Sequence, residues 1–208
     1  MTAALSVWQW QRAGEKQALL DAVANAPERV LVRLSEADAL PVWARVRVEG
    51  IAYPALWLLD NRTVEGKVGY DVLMLVCDAH EDCIWVNRGW VAGSRDRRVW
   101  PELPAPGGDK VLTGTWRPWP AGEAAGLEIR SPGLARIQHL NDARVPDGLR
   151  VSRAGLLQLN ATSPEALTVH WQPVTLSPER HIGYAVQWAL LSVALLMTGL
   201  TTIKRTHP

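Results

Sequence analysis

Residues 182–203 read IGYAVQWALLSVALLMTGLTTI, 22 consecutive positions without a charged side chain. At a rise of ~1.5 Å per residue, a helix of about 20 residues crosses ~30 Å of hydrocarbon. A buried helix in a soluble domain would carry a polar stripe. Here the polar interruptions are Gln187, Ser192 and several Thr, which a helix satisfies through its own backbone or a partner helix. The stretch therefore predicts one C-terminal transmembrane helix. Glu179, Arg180 and His181 stand before it, and Lys204 and Arg205 close it. Tyr184 and Trp188 lie one turn apart near its N-terminal end, as interfacial aromatic anchors do. Two cations after the run against one before it favour a cytoplasmic C-terminus.

Upstream of that helix the pattern is mostly β. Gln11–Ala24 has helical character, with Leu19, Leu20 and Val23 on one face and Pro27 beyond the end. From Val30 onward VLVRL, VWARVRVEGIA and ALWLLD read as strands. Asp60-Asn61-Arg62 and Glu65-Gly66-Lys67 carry turn chemistry. Val68–Val76 and Cys83–Val91 flank a short polar loop and predict a β-hairpin. Val111–Arg117, Leu156–Leu159 and Leu167–Trp171 are further strands, whereas 118–147 has little periodicity. The expected fold is mainly β, barrel- or sandwich-like, with a short N-terminal helix. It divides into a β-rich segment over 1–178 and the helix with its tail over 179–208.

The chain has 22 basic and 21 acidic residues among 208, a net charge of +1. That balance creates no field for a polyanion, so nucleic acid is not expected as a partner. Of 11 Trp, with no Phe present, most are read as core side chains. Trp8, Trp10 and Trp188 are read as interfacial, from their positions. Met1–Val7 is apolar but too short to span, and no signal-peptide pattern precedes the domain.

Catalytic signatures are missing. The five His occupy positions 80, 139, 170, 181 and 207, with no pair at metal-ligand spacing. There is no nucleophile elbow, no phosphate-cradling glycine motif and no nominated pair of carboxylates. An enzyme is therefore not expected. Cys77 and Cys83 face each other across the hairpin loop. They form either a disulfide in an oxidising compartment or two half-buried thiols. His181, at the mouth of the apolar helix, is either a polar boundary residue or an axial ligand to haem iron. Arg95–Arg98 reads as a solvated loop.

Three ordered segments carry a resemblance. Trp8-Gln9 with Arg12 and Lys16 is similar to a W-Q-x-x-R-x-x-x-K stretch. Gly66, Gly69-Tyr70 and then Val86-Asn87-Arg88-Gly89-Trp90-Val91 form a central block, and His181 to Trp188 matches H-x-x-Y-A-x-Q-W. Together they resemble the surfeit-locus family of cytochrome c oxidase assembly factors, the Shy-type proteins of fungi, over nearly the whole chain. The resemblance implies a role in biogenesis of haem–copper oxidases, when haem a is settled in the catalytic subunit. It implies that subunit and other oxidase assembly factors as partners, with membrane lipid. It implies a bacterial inner-membrane protein whose main domain is periplasmic, with a first membrane helix ending just before Trp8. His181 is then the candidate haem ligand, with Tyr184, Gln187 and Trp188 beside it. Trp8, Gln9, Arg12, Asn87, Arg88, Gly89 and Trp90 are the motif or partner residues. The rival expectation is a periplasmic scaffold for a membrane complex that binds no haem. Gly89 inside a strand suggests a bulge or a close backbone approach. Of Asn87 and Arg88, which alternate faces, one should point inward and need a polar partner.

Overall fold

The computed structural model describes residues 1–104, 106–174 and 176–206, without the side chains of 200–206. Lys204 and Arg205, expected to close the apolar run, thus have side chains outside the described residues, as does His207. The chain forms two compact units: residues 1–25 with 172–208, and residues 26–171. The first helix, expected to belong with the β-rich segment, lies in the same unit as the last.

In the helical unit, α1 spans Thr2–Ala24 and α2 spans Pro178–Thr206. Helix α1 starts nine residues before the predicted Gln11, because MTAALSV contains no helix breaker. It ends at Asn25, whose side-chain amide and backbone N–H both donate to the Asp21 carbonyl. The helices run antiparallel, joined by polar ties along their seam. Ser6 Oγ donates to the Ala185 carbonyl at 2.8 Å, and Ser192 Oγ lies 2.7 Å from Thr2 Oγ1. Ala185 is buried, so the seam is built of small residues that let two backbones approach. The outer face of α2 exposes Leu190, Leu191, Val193, Leu195, Leu196 and Met197. Pro178–Gly199, with mean hydropathy 1.5, is long and apolar enough to cross a membrane. Ser192 and Thr198 also bond within the helix, Thr198 Oγ1 to the Ala194 carbonyl at 3.0 Å.

The second unit is mainly β, as expected, and its barrel alternative is the one realised. Strands β1 (Glu28–Leu31), β2 (Arg45–Val64), β3 (Lys67–Cys77), β4 (Asp82–Ala92) and β5 (Asp109–Pro118) come first. The short β6 (Leu127–Ser131) and β7 (Leu134–Ile137) and then β8 (Arg150–Leu159) follow. Strand β2 pairs with β5 through its first half and with β3 through its second; β3 pairs with β4, β4 with β8, and β8 with β5. That circuit closes a five-stranded barrel and removes its edges. Its interior holds Val46, Val48, Leu58, Met74, Val86 and Trp116, while the opposite sheet face carries Trp57, Leu73, Trp85 and Leu156 under β6 and β7.

Three details differ from the expectations above. VWARVRVEGIA and ALWLLD are one continuous strand, because β2 bends through irregular pairing between Ala52 and Leu56 instead of ending. Asp60-Asn61-Arg62 is a bulge within that strand, with Asn61 at φ 59°, while the turn falls at Glu65-Gly66, φ 50° and 76°. Leu167–Trp171 is no strand; only Thr168 bridges to Trp90. The region 118–147, weak in periodicity, contains the hairpin β6–β7, whose outer strand is largely exposed and so lacks an apolar rhythm.

Candidate functional site

The VNRGWV block sits on β4, where Val72 opposes Gly89 and Leu73 opposes Asn87. Arg88 is thus an extra residue in the strand, and the block is a β-bulge. Gly89 takes φ 118°, and a Cβ there would lie 2.7 Å from the Thr168 carbonyl oxygen. Bulge and close approach are both present. Asn87 Oδ1 accepts from the Gly89 N–H at 2.8 Å, and its amide donates to Asp71 Oδ2 at 3.2 Å. Arg88 points to the other side. Its Nε donates to the Glu165 carbonyl at 3.0 Å, and a terminal nitrogen pairs with Glu165 Oε2 at 3.2 Å. Lys110 meets the same carboxylate at 2.7 Å. Both Asn87 and Arg88 are buried, and each finds polar partners. Trp90 Nε1 donates to the Arg62 carbonyl at 3.0 Å. These contacts pin segment 163–170 to the barrel wall.

The bulge adjoins residues that no motif in the sequence singles out. Asp71 Oδ1 lies 2.7 Å from His170 Nε2, and Asp71 Oδ2 is 4.0 Å from Arg62 Nε. Arg117 sits 4.5 Å over the Trp171 ring, which stacks on Trp43 at 5.2 Å. Burial lowers the Arg117 pKa to about 10; nearby Asp71 acts against this and Arg62 reinforces it. The one signal for this cluster in the sequence is Asp71, a lone carboxylate inside VGYDVLMLV.

At the tip of the β3–β4 hairpin, Cys77 and Cys83 are directly opposite partners, joined by a disulfide with Cα atoms 4.0 Å apart. Asp78 closes the loop by accepting from the N–H groups of Leu34, His80 and Asp82.

In the helical unit, His181 is 8% exposed, and its Nδ1 lies 2.7 Å from Gln9 Oε1. An amide oxygen can only accept, so Nδ1 is the donor in this contact, which in the neutral imidazole leaves Nε2 as the nitrogen with a free lone pair. That is the tautomer a metal-binding histidine adopts. Ser177 supplies the first-turn carbonyl to the His181 N–H. Tyr184 and Gln187 are exposed and Trp188 is half-buried; none of the three bonds to His181. Arg12 pairs with Glu15 at 2.7 Å and lies 5.5 Å over the Trp8 ring. Gln9 is the motif residue of α1 that hydrogen-bonds a motif residue of α2. Among the described residues no cluster of His, Cys, Asp and Glu could hold a metal ion by itself.

A bulged β barrel, an N-terminal helix and an apolar C-terminal helix with a buried histidine at its mouth define the class. The SURF1 family model matches residues 1–193, and the chain belongs to that family. It is a family of assembly factors associated with cytochrome oxidase assembly. A search of curated proteins gives no match.

Proposed function

We propose that this chain is a membrane-anchored, non-enzymatic assembly factor for a haem–copper terminal oxidase, and that His181 holds haem a transiently during its delivery to the catalytic subunit. Family membership supports the oxidase role. The observation that carries the haem reading is the Gln9-oriented imidazole, whose Nε2 is a donor suited to haem iron. The haem would supply the redox-active iron that the oxidase requires. This chain would bind and orient it, His181 as ligand and Gln9 as the group that sets the tautomer.

Helix α2 supports anchoring, since a helix with so apolar an outer surface is stable only when lipid or protein covers it. The Cys77–Cys83 disulfide supports an oxidising compartment for the barrel. In this reading the barrel is periplasmic at the bacterial inner membrane and the C-terminus is cytoplasmic; the helix and the disulfide support it. The oxidase catalytic subunit and other assembly factors are the proposed partners.

Haem a titrated into the detergent-solubilised chain should give a saturable Soret shift, lost in His181→Ala. A scaffold that binds no haem would give no saturable shift in either protein. Extraction of membranes with alkaline carbonate should leave the chain in the pellet.

A further inference from the structure

Four polar side chains cross the barrel wall in unbroken register. Asn87 on β4 opposes Gln158 on β8, Gln158 opposes Thr115 on β5, and Thr115 opposes Arg45 on β2. Paired residues share a face. The face is the outer one, since Trp85 and Leu156, two positions before Asn87 and Gln158, belong to the outer cluster. Arg117, two along from Thr115, and Arg62, next to Asp71, complete it. A sheet face this buried is ordinarily apolar, as the lower part of the same face is.

Two properties set the row apart from a structural network. First, its hydrogen bonding is incomplete. Gln158 is 2% exposed, yet among the described residues neither its amide nitrogen nor its carbonyl oxygen has a partner. Among the described residues the Nε atoms of Arg62 and Arg117 are also buried without a hydrogen bond. Leaving such groups unmet is costly and calls for an explanation, which a polar ligand would supply. Second, positive charge is in excess. Arg62 and Arg117 face one carboxylate, Asp71, which already serves His170 and Asn87, and Arg45 adds a further cation at the end of the row. Arg117 is held in this desolvated place with its proton less tightly bound than usual. Beside it, the half-buried stack of Trp43 on Trp171 offers a flat apolar wall.

We propose that the row formed by Gln158, Thr115, Arg117 and Arg45 is a binding site for a carboxylate carried on a flat apolar body. The guanidinium of Arg117 and the Gln158 amide would take the two carboxylate oxygens, and the Trp43–Trp171 stack the apolar portion. This site is independent of His181 and of the function proposed above.

The test is isothermal titration of the full chain in neutral detergent with 2-naphthoate, against a blank of the same micelles. The neutral 2-naphthamide and inorganic phosphate are the comparison ligands. Naphthoate should saturate at one per chain, with the amide and phosphate at least tenfold weaker. Arg117→Gln should weaken naphthoate at least tenfold while the far-UV circular dichroism is unchanged. Should Arg117→Gln not fold, the half-buried Arg45→Gln provides the reading, with a severalfold loss. Equal binding of naphthoate and naphthamide overturns the proposal, as does preference for phosphate or no saturable naphthoate binding. So does an affinity unchanged in every folded variant.

Discussion

His181 Nδ1 and Gln9 Oε1 lie 2.7 Å apart across the α1–α2 seam, although 172 positions separate them in the chain. The contact selects which imidazole nitrogen donates, and so which is left with the lone pair in the neutral ring. In Gln9→Leu the Nδ1–H loses its acceptor, and the ring should redistribute between its two neutral tautomers. Side-chain ¹⁵N spectra of the detergent-solubilised protein read this directly. An unchanged Nδ1–H signature in the variant would mean that Gln9 does not orient the ring.

Gly89 and Gly148 provide a matched pair of substitutions. Both adopt positive φ, 118° and 91°. A Cβ at 148 meets nothing within 4 Å, whereas one at 89 lies 2.7 Å from the Thr168 carbonyl oxygen. Gly148→Ala should cost about 1 kcal/mol, from backbone strain alone. Gly89→Ala should cost about 3 kcal/mol, since the backbone it strikes is held by Trp90 and Arg88. Equal midpoints in urea unfolding would rule out the close approach.

The disulfide closes a short loop, six positions apart, and chain-entropy arguments give it about 2 kcal/mol. Cys77→Ser with Cys83→Ser should lower the unfolding temperature by roughly 4–8 °C. Thiol titration of the denatured, non-reduced wild type should find no free sulfhydryl. Two reactive thiols there would contradict the bridge.

Two carboxylates predict acid sensitivity. Burial by itself would raise the pKa of Asp78. The N–H groups of Leu34, His80 and Asp82 outweigh it, and the net displacement is downward. Asp142 behaves alike, with burial opposed by donors from His139, Gly126, Ala125 and Gln138. A carboxylate whose folded pKa is depressed adds stability above its unfolded value, near ~4, and loses it as pH falls through the folded value. The unfolding temperature should therefore decline from pH 5 toward pH 2. Asp142→Asn should flatten part of that slope, and an identical slope in the variant would exclude Asp142 as a contributor.

Several elements are legible in the amino-acid sequence alone. The hairpin β3–β4 stands out because both strands are long apolar runs around a polar loop, and such runs are buried on both faces. Helix α2 is legible because 22 uncharged residues have few alternatives to a spanning length. The β6–β7 hairpin is illegible because its outer strand is exposed, so no burial pattern marks it. Asp71, His170, Arg117 and Gln158 are equally illegible as a group. Each is an ordinary polar residue in its own strand or loop, and only cross-strand register brings them together.

Composition and local periodicity, then, determined the apolar helix, the β3–β4 hairpin and the Cys77–Cys83 opposition. These depend on neighbours in the chain, within reach of the 3.6- and 2-residue repeats. Closure of the barrel through the bent β2, the pairing of Gln9 with His181 and the polar row on the outer wall were decided only by tertiary structure. They join residues tens to hundreds of positions apart, and no local pattern encodes which distant partner a buried polar group will meet.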